Sequence, residues 1–174
     1  MNKLVDISRP LTGSRLEEIL DYDSETGIFS WKDRKFSRMS AGDKAGTLRN
    51  GYRLIRIDDV AYSAHRLAWL WIHGTFPSSF IDHKNGNRDD NRIENLRLCT
   101  NSENLQNQRT DKNNSSGIKG VTWSNGRQKW VAQIRRNGRG RTIGFFDNKE
   151  DAAKAYSDAA LKEFGEFARV HVVS

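Results

Sequence analysis

The chain has 174 residues, a formal net charge of +7 and an isoelectric point of about 9.7. This length fits one ordinary domain or two small ones, and the positive charge favours a polyanionic partner such as nucleic acid. The single cysteine, Cys99, excludes a disulfide framework within the chain and a cysteine-rich zinc site. With no apolar run long enough for a membrane span and no signal segment after Met1, we expect a cytoplasmic protein without a membrane partner.

The N-terminal half is predicted to combine short helices with strands. We expect a short helix over residues 11–23, with Ser14 as a candidate N-cap, and strands in residues 27–32 and 51–64. Residues 64–74 then place apolar side chains at helical spacing and end in a glycine, which is typical of a helix C-terminus. His65 lies in the first turn of this helix, and two interpretations stay open for it: a structural hydrogen bond or a contact with phosphate.

Residues 82–104 are rich in asparagine and are predicted to run in the order strand, loop, strand, helix. Residues 80–83 end a short apolar strand, and the pair Asn85-Gly86 is a strong turn signal. Residues 95–99 alternate between polar and apolar side chains, as a strand does. The following helix begins with the spacing of a capping box, so that Asn104 lies one turn into it and is able to face the two strands.

Four side chains of this stretch have the chemistry of a hydrolytic site. The Asp82 carboxylate and the Asn104 carbonyl oxygen are hard ligands that leave room for water and phosphate oxygens, which suits Mg²⁺ or Mn²⁺. His83 is largely neutral near pH 7 and can act as a general base, and Asn95 is well placed to brace the hairpin. Because adjacent strand residues point to opposite faces, Asp82 and His83 can share a site only where the strand ends or bulges.

These residues resemble the HNH motif of phage and intron-homing endonucleases, and segments upstream extend the resemblance over residues 16–108. The resemblance implies a ββα-metal nuclease domain that acts on double-stranded DNA. In it, His83 is the base, Asn95 holds the hairpin to the helix, and Asp82 and Asn104 bind one divalent metal ion. The last position is asparagine instead of histidine, a variant that also occurs in the homing branch. The resemblance further implies a phage or other mobile element as the source and cleavage by nicking, while a dimer that cuts both strands stays open.

The C-terminal part is strongly basic, because residues 112–146 hold eight lysines and arginines and no acidic residue. Within residues 120–146 we predict three strands with glycine-containing turns. Residues 148–165 form a predicted helix whose small apolar side chains cover one face of the sheet, with Asp147 or Asn148 as its cap. The opposite face is then basic and free to enter a major groove, where arginine reads guanine and glutamine reads adenine.

The same segments are similar to an AP2-type DNA-binding domain, which implies a three-stranded antiparallel sheet, one helix and DNA contacts from the sheet. The contact residues that the resemblance implies are Lys119, Thr122, Trp123, Lys129, Gln133, Arg135 and Arg141. Because Thr122 stands where plant members usually carry arginine, the resemblance does not carry over their base preference.

The sequence therefore predicts an α+β protein with an HNH nuclease domain in residues 1–108, a linker in 109–117 and an AP2-like domain in 118–174. The predicted activity is metal-dependent hydrolysis of DNA, of the nicking and homing type, without an obligate protein partner. The alternative from another class is a DNA-binding regulator with a vestigial nuclease centre. RNA binding fits the charge equally well but not the HNH residues.

Overall fold

The computed structural model describes residues 11–36, 39–107, 114–136 and 138–168. The chain divides into two compact units after Leu98. Each unit combines helices with antiparallel strands, in agreement with the predicted α+β class. Among the described residues, no helix has the length and apolar character needed to cross a membrane. Residues 109–113 of the predicted linker lie outside the described ranges, and the predicted domain boundaries stay a prediction.

The first unit begins with a helix and a two-stranded hairpin. Helix α1 spans Gly13–Ile19 and is followed by strands β1 (Leu20–Asp23) and β2 (Ile28–Trp31), which pair antiparallel. The N-cap of α1 is Thr12, not the predicted Ser14. An N-cap needs extended backbone, which Thr12 has at φ −94° and ψ 159°, whereas Ser14 already lies inside the helix.

A three-stranded sheet and a second helix complete the apolar core of the first unit. Strands β3 (Thr47–Arg49), β4 (Tyr52–Ile57) and β5 (Val60–Ser63) lie side by side in that order. Helix α2 spans Ala64–His73 and ends at Gly74, whose φ of 73° confirms the predicted C-terminus. The largest fully buried side chains of this core are those of Leu16, Ile19, Leu20, Phe29, Ile55 and Leu67.

The asparagine-rich stretch folds in the predicted order of strand, loop, strand, helix. Strands β6 (Phe80–His83) and β7 (Leu96–Cys99) form a two-stranded sheet, and the loop between them ends in a 3₁₀ turn at Ile93–Asn95. Helix α3 (Asn101–Asn107) begins with the predicted capping box. In it, the Thr100 NH donates to Glu103 Oε2 at 2.7 Å and the Glu103 NH donates to Thr100 Oγ1 at 3.2 Å.

The second unit contains the three predicted strands and the predicted long helix. Strands β8 (Val121–Ser124), β9 (Lys129–Arg136) and β10 (Arg139–Phe146) form an antiparallel sheet with β9 in the centre. Helix α4 spans Lys149–Phe164, with Asn148 as its N-cap. Side chains from one sheet face and from α4 make a shared core: Val121, Ala132, Ile134, Ala152, Ala153, Tyr156 and Ala160. Further short 3₁₀ turns lie at Arg34–Phe36 and Gly165–Phe167.

Candidate active site

Asn95 ties together the loop that joins β6 to β7. Its side chain is buried, its Oδ1 accepts a hydrogen bond from the Asn85 NH at 3.0 Å, and its Nδ2 donates to the Asp90 carbonyl at 2.8 Å. Its backbone carbonyl also accepts from the Lys84 NH at 2.8 Å. Because these bonds cross the loop, Asn95 fixes the loop's shape. The contact between Asn95 and the helix that the family resemblance implies stays a prediction.

The other asparagines and aspartates satisfy backbone groups along the same loop. Asn85 Oδ1 accepts from the Asn87 NH at 2.8 Å, and Asn87 Oδ1 accepts from the Asp89 NH at 3.2 Å. These contacts, each two residues apart, are typical of Asx turns. Asp90 binds the Arg92 guanidinium through two contacts of 2.8 Å, and these hydrogen bonds lower the pKa of Asp90 to about 2. The asparagine-rich composition is therefore explained first by loop structure.

His83 is the last residue of β6 and is buried against three other side chains. Its Nε2 lies 3.5 Å from Asn91 Oδ1, and its ring centroid lies 5.2 Å from that of His65 and 6.1 Å from that of Tyr52. Burial lowers the pKa of His83, although the contact with Asn91 acts in the opposite direction. His83 is therefore neutral near pH 7, the state that a general base requires.

Asn91 presents a hydrogen-bond acceptor to the Nε2 atom of His83. Asn91 Nδ2 donates to the Asp89 carbonyl at 3.0 Å, which leaves Oδ1 as the acceptor that faces His83 Nε2. This arrangement favours the tautomer with hydrogen on Nε2 and the basic lone pair on Nδ1. Two residues of the β1–β2 hairpin hold Asn91: the Tyr22 hydroxyl donates to its carbonyl at 2.8 Å, and a Cβ at Gly27 would lie 2.6 Å from its carbonyl carbon.

Asp82 has different neighbours from those of His83. It is buried, and its Oδ2 accepts hydrogen bonds from Arg97 Nε at 2.9 Å and Arg97 Nη2 at 2.7 Å. The alternation of side chains along a strand accounts for this difference between neighbours. The strand ends directly after the pair, at His83, which is one of the two conditions under which they can share a site.

The predicted metal ligands are oxygen donors on two elements. Asp82 lies on β6 in the first unit, whereas Asn104 lies in the first turn of α3 in the second unit, half-buried, with its NH donating to the Thr100 carbonyl at 3.1 Å. A carboxylate and an amide oxygen together fit the ligand chemistry of Mg²⁺ or Mn²⁺. Within the described ranges, no group of three or more His, Cys, Asp or Glu side chains could hold a metal ion, so no closed zinc-type site is present there.

Three residues near His83 were not predicted from the sequence to belong to a site: Tyr52, Asn91 and Arg88. The exposed Arg88 guanidinium lies over the Tyr52 ring at 4.8 Å and donates to the Asn50 carbonyl at 3.4 Å. Its positive charge also contributes to the lowered pKa of His83. No local pattern distinguishes these side chains from others of their type, because their positions come from contacts between distant segments.

The predicted DNA contacts of the second unit divide between the two faces of its sheet. Thr122, Lys129, Gln133 and Arg135 alternate with the residues that pack against α4, so they lie on the outer face. Lys129 donates to Asp147 at 2.8 Å. Val131, on the same face, is nevertheless buried between its cross-strand partners Thr122 and Phe145.

The remaining predicted contacts lie elsewhere in the second unit. Trp123 is opposite Trp130 in the sheet, on the face that carries α4, and its exposed ring meets the Trp130 ring edge-on at 5.2 Å. Arg141 forms an ion pair with Glu163 of α4. Lys119 precedes β8 and donates to the carbonyls of helix α3. The role of all seven residues in DNA binding stays a prediction.

Comparison with known proteins places the hairpin in a family. Residues 62–106 match the family model described as HNH endonuclease. The chain is 34% identical over 106 residues to Protein 3.8 of Escherichia phage T7, which is 60% of this chain and 87% of that protein. It is also 34% identical over 106 residues to an uncharacterized HNH endonuclease of Acanthamoeba polyphaga mimivirus, covering 60% of this chain and 54% of that protein. No solved structure matches the chain.

The buried His83 at the end of β6 and the hairpin braced by Asn95 both lie within the segment that matches the HNH endonuclease model. The matched segment runs from β5 through α3 and contains this hairpin. The chain belongs to the HNH endonuclease family, and it is a nuclease that acts on DNA.

Proposed function

We propose that the protein is a metal-dependent endonuclease of the homing type that nicks double-stranded DNA in the cytoplasm of a host cell. The observation that supports this proposal best is the setting of His83, which is buried, neutral and hydrogen-bonded through Nε2 to Asn91. One HNH centre per chain suits the cleavage of one strand at a time, and no obligate protein partner is needed for it.

His83 takes up the proton of the attacking water through Nδ1. The water oxygen forms a bond to phosphorus while the bond from phosphorus to the leaving oxygen breaks, so the proton moves to His83 as the new bond forms. The carboxylates of Asp82 and Asp90 favour the charged imidazole that results. Asn95 contributes by keeping the loop that carries Asp90 and Asn91 in one conformation.

The proposed cofactor is one Mg²⁺ or Mn²⁺ ion held by Asp82 and Asn104. When bound, such an ion supplies positive charge to the phosphate and to the leaving oxygen. Arg97 orients the Asp82 carboxylate through two contacts on Oδ2. These contacts hold the Asp82 carboxylate in a fixed geometry. A metal ligand that is fixed in this way is in place before the ion binds.

We further propose that residues 118–174 form an AP2-like DNA-binding domain. Its outer sheet face presents Thr122, Lys129, Gln133 and Arg135, and a twisted antiparallel sheet of this size fits a major groove. Lysine would contact phosphates, and glutamine would read adenine. Arginine would contact either phosphate or guanine. Lys119, Trp123 and Arg141 stay proposed DNA contacts, although Trp123 and Arg141 lie on the face that carries α4.

The test is a plasmid-nicking assay with supercoiled DNA and Mg²⁺ or Mn²⁺. His83→Ala should lower the cleavage rate by roughly 10² to 10⁴, the usual contribution of a general base, while a mobility-shift assay shows unchanged DNA binding. His73→Ala is the matched control, because His73 is exposed at the end of α2. Cleavage by His83→Ala at the wild-type rate would place the base elsewhere. Binding without cleavage by the wild type at any metal concentration would support the regulator with a vestigial centre.

A further inference from the structure

Three rings from three separate elements meet at the base of the nuclease centre. His65, in the first turn of α2, meets His83 edge-on, with 5.2 Å between ring centroids and 81° between planes. Tyr52 of β4 lies 5.5 Å from His65 and 6.1 Å from His83. Because each ring packs against the other two, a rotation of His83 would disturb its contacts with His65 and Tyr52.

The Nδ1 atom of His65 is buried and has no hydrogen-bond partner among the described residues. A buried polar atom without a partner destabilises a fold, and a phenyl ring could make the same ring contacts without that penalty. Packing therefore accounts for a ring at position 65 but not for an imidazole. The structural hydrogen bond that the sequence left open for His65 is not made by Nδ1 with any described residue.

The charge state of His65 suits a polar role beside a general base. Burial lowers the pKa of His65 to about 3, and the nearby His83 and Arg66 act in the same direction. The ring is therefore neutral at the pH at which His83 works, with one nitrogen as donor and the other as acceptor. A neutral imidazole does not repel the positive charge that His83 gains during the reaction, as a lysine or arginine there would.

We propose that His65 is a second functional histidine of the nuclease centre, whose ring fixes the orientation of His83 and whose Nδ1 hydrogen-bonds to the water that His83 deprotonates. This inference rests on the proposed function of His83. It assigns to His65 a contact with the nucleophile and not the uptake of its proton, which stays with His83. Tyr52 forms the third wall of the cluster, and Arg88 covers its outer side.

The first experiment separates the ring from its nitrogens. His65→Phe keeps a ring against Tyr52 and His83 but removes Nδ1, so its melting temperature should equal or exceed that of the wild type. Its single-turnover nicking rate, measured with enzyme in saturating excess over supercoiled plasmid and with Mg²⁺, should nevertheless fall tenfold or more, with DNA binding unchanged. His73→Phe, in the same helix but exposed, should nick at the wild-type rate.

The second experiment tests the polar atom alone. Asparagine and leucine have almost the same shape, but only asparagine places a polar atom near the position of Nδ1. His65→Asn should therefore nick several-fold faster than His65→Leu at equal folded fraction. The inference is overturned if His65→Phe nicks at the wild-type rate, if its loss of rate matches a loss of folded protein, or if the asparagine and leucine variants are equally slow. If the wild type itself does not nick, the proposed function fails, and this inference fails with it.

Discussion

Replacing Asn95 with alanine should destabilise the first unit by an amount that follows from its contacts. The change removes the bonds to the Asn85 NH and the Asp90 carbonyl and leaves both backbone groups without that partner. Because Asn95 is 6% exposed, water replaces these bonds poorly. The free energy of unfolding should fall by about 1–3 kcal/mol, the usual loss when buried partners are left unpaired. In a unit of roughly 100 residues, each kcal/mol lowers the melting temperature by about 4–8 °C.

The measurement is thermal unfolding monitored by calorimetry. The melting temperature of the first unit is compared between variants. Asn87→Ala is the matched control, because Asn87 lies in the same loop, is exposed and accepts a single bond from the Asp89 NH at 3.2 Å. Its loss should stay below about 1 kcal/mol, the size of one solvent-accessible hydrogen bond.

The bracing role of Asn95 is refuted if Asn95→Ala has the same melting temperature as the wild type, or if it loses no more stability than Asn87→Ala does. A variant that keeps its melting temperature but loses all nicking would instead indicate that Asn95 acts directly in the reaction. A loss of rate that only follows the loss of folded protein agrees with bracing.

Three further predictions concern pH, metal and salt. Unfolded histidine titrates near 6.5, whereas burial holds the pKa of His65 at about 3 in the fold. The unfolded chain therefore takes up the proton first, and the free energy of unfolding falls from pH 6.5 to pH 3 by up to about 1.4 kcal/mol per unit. His65→Phe should flatten this slope in urea unfolding, and equal slopes would contradict the buried neutral state. Raising the Mg²⁺ concentration should restore part of the nicking activity of Asn104→Ala, because water can replace a neutral ligand. It should restore less of the activity of Asp82→Ala. If neither variant is rescued, metal binding at these positions is contradicted. Arg135→Ala should reduce the salt slope of DNA binding, the slope of log affinity against log salt concentration, by about one unit. Arg141→Ala should reduce it by less, because Glu163 already pairs with the Arg141 guanidinium. A larger effect of Arg141→Ala would indicate that DNA does not bind at the outer sheet face.

Local signals in the sequence predicted much of the fold. Gly74 ends α2 with positive φ, and Thr100 with Glu103 caps α3, because each signal acts through atoms within a few residues. The cap of α1 was predicted two residues late, at Ser14 instead of Thr12. Both residues carry a hydroxyl, and only the backbone conformation distinguishes them.

Contacts between distant segments could not be predicted in the same way. The positions of Tyr52, His65 and Asn91 around His83 depend on how β4, α2 and the loop pack together. The sequence also predicted that the sheet face opposite α4 is basic and free, whereas Val131 on that face is buried. Pattern thus predicts elements and motif, while the environment of each side chain depends on tertiary packing.

The support that the β1–β2 hairpin gives to Asn91 limits how far the nuclease motif can be transplanted. Residues 62–106 contain every implied nuclease residue, yet Tyr22, which donates to the Asn91 carbonyl, and Gly27, which packs closely against the Asn91 backbone, lie before that segment begins. A graft of residues 62–106 onto another scaffold would lack both contacts with Asn91. Asn91 would then not be held against His83 Nε2, and the tautomer that Asn91 favours would lose its support. In recombination between such genes, an exchange point between β2 and α2 would separate His83 from the β1–β2 hairpin. Asn91, which hydrogen-bonds to His83, would then lose its contact with Tyr22. A portable version of this nuclease centre therefore has to begin upstream of β1.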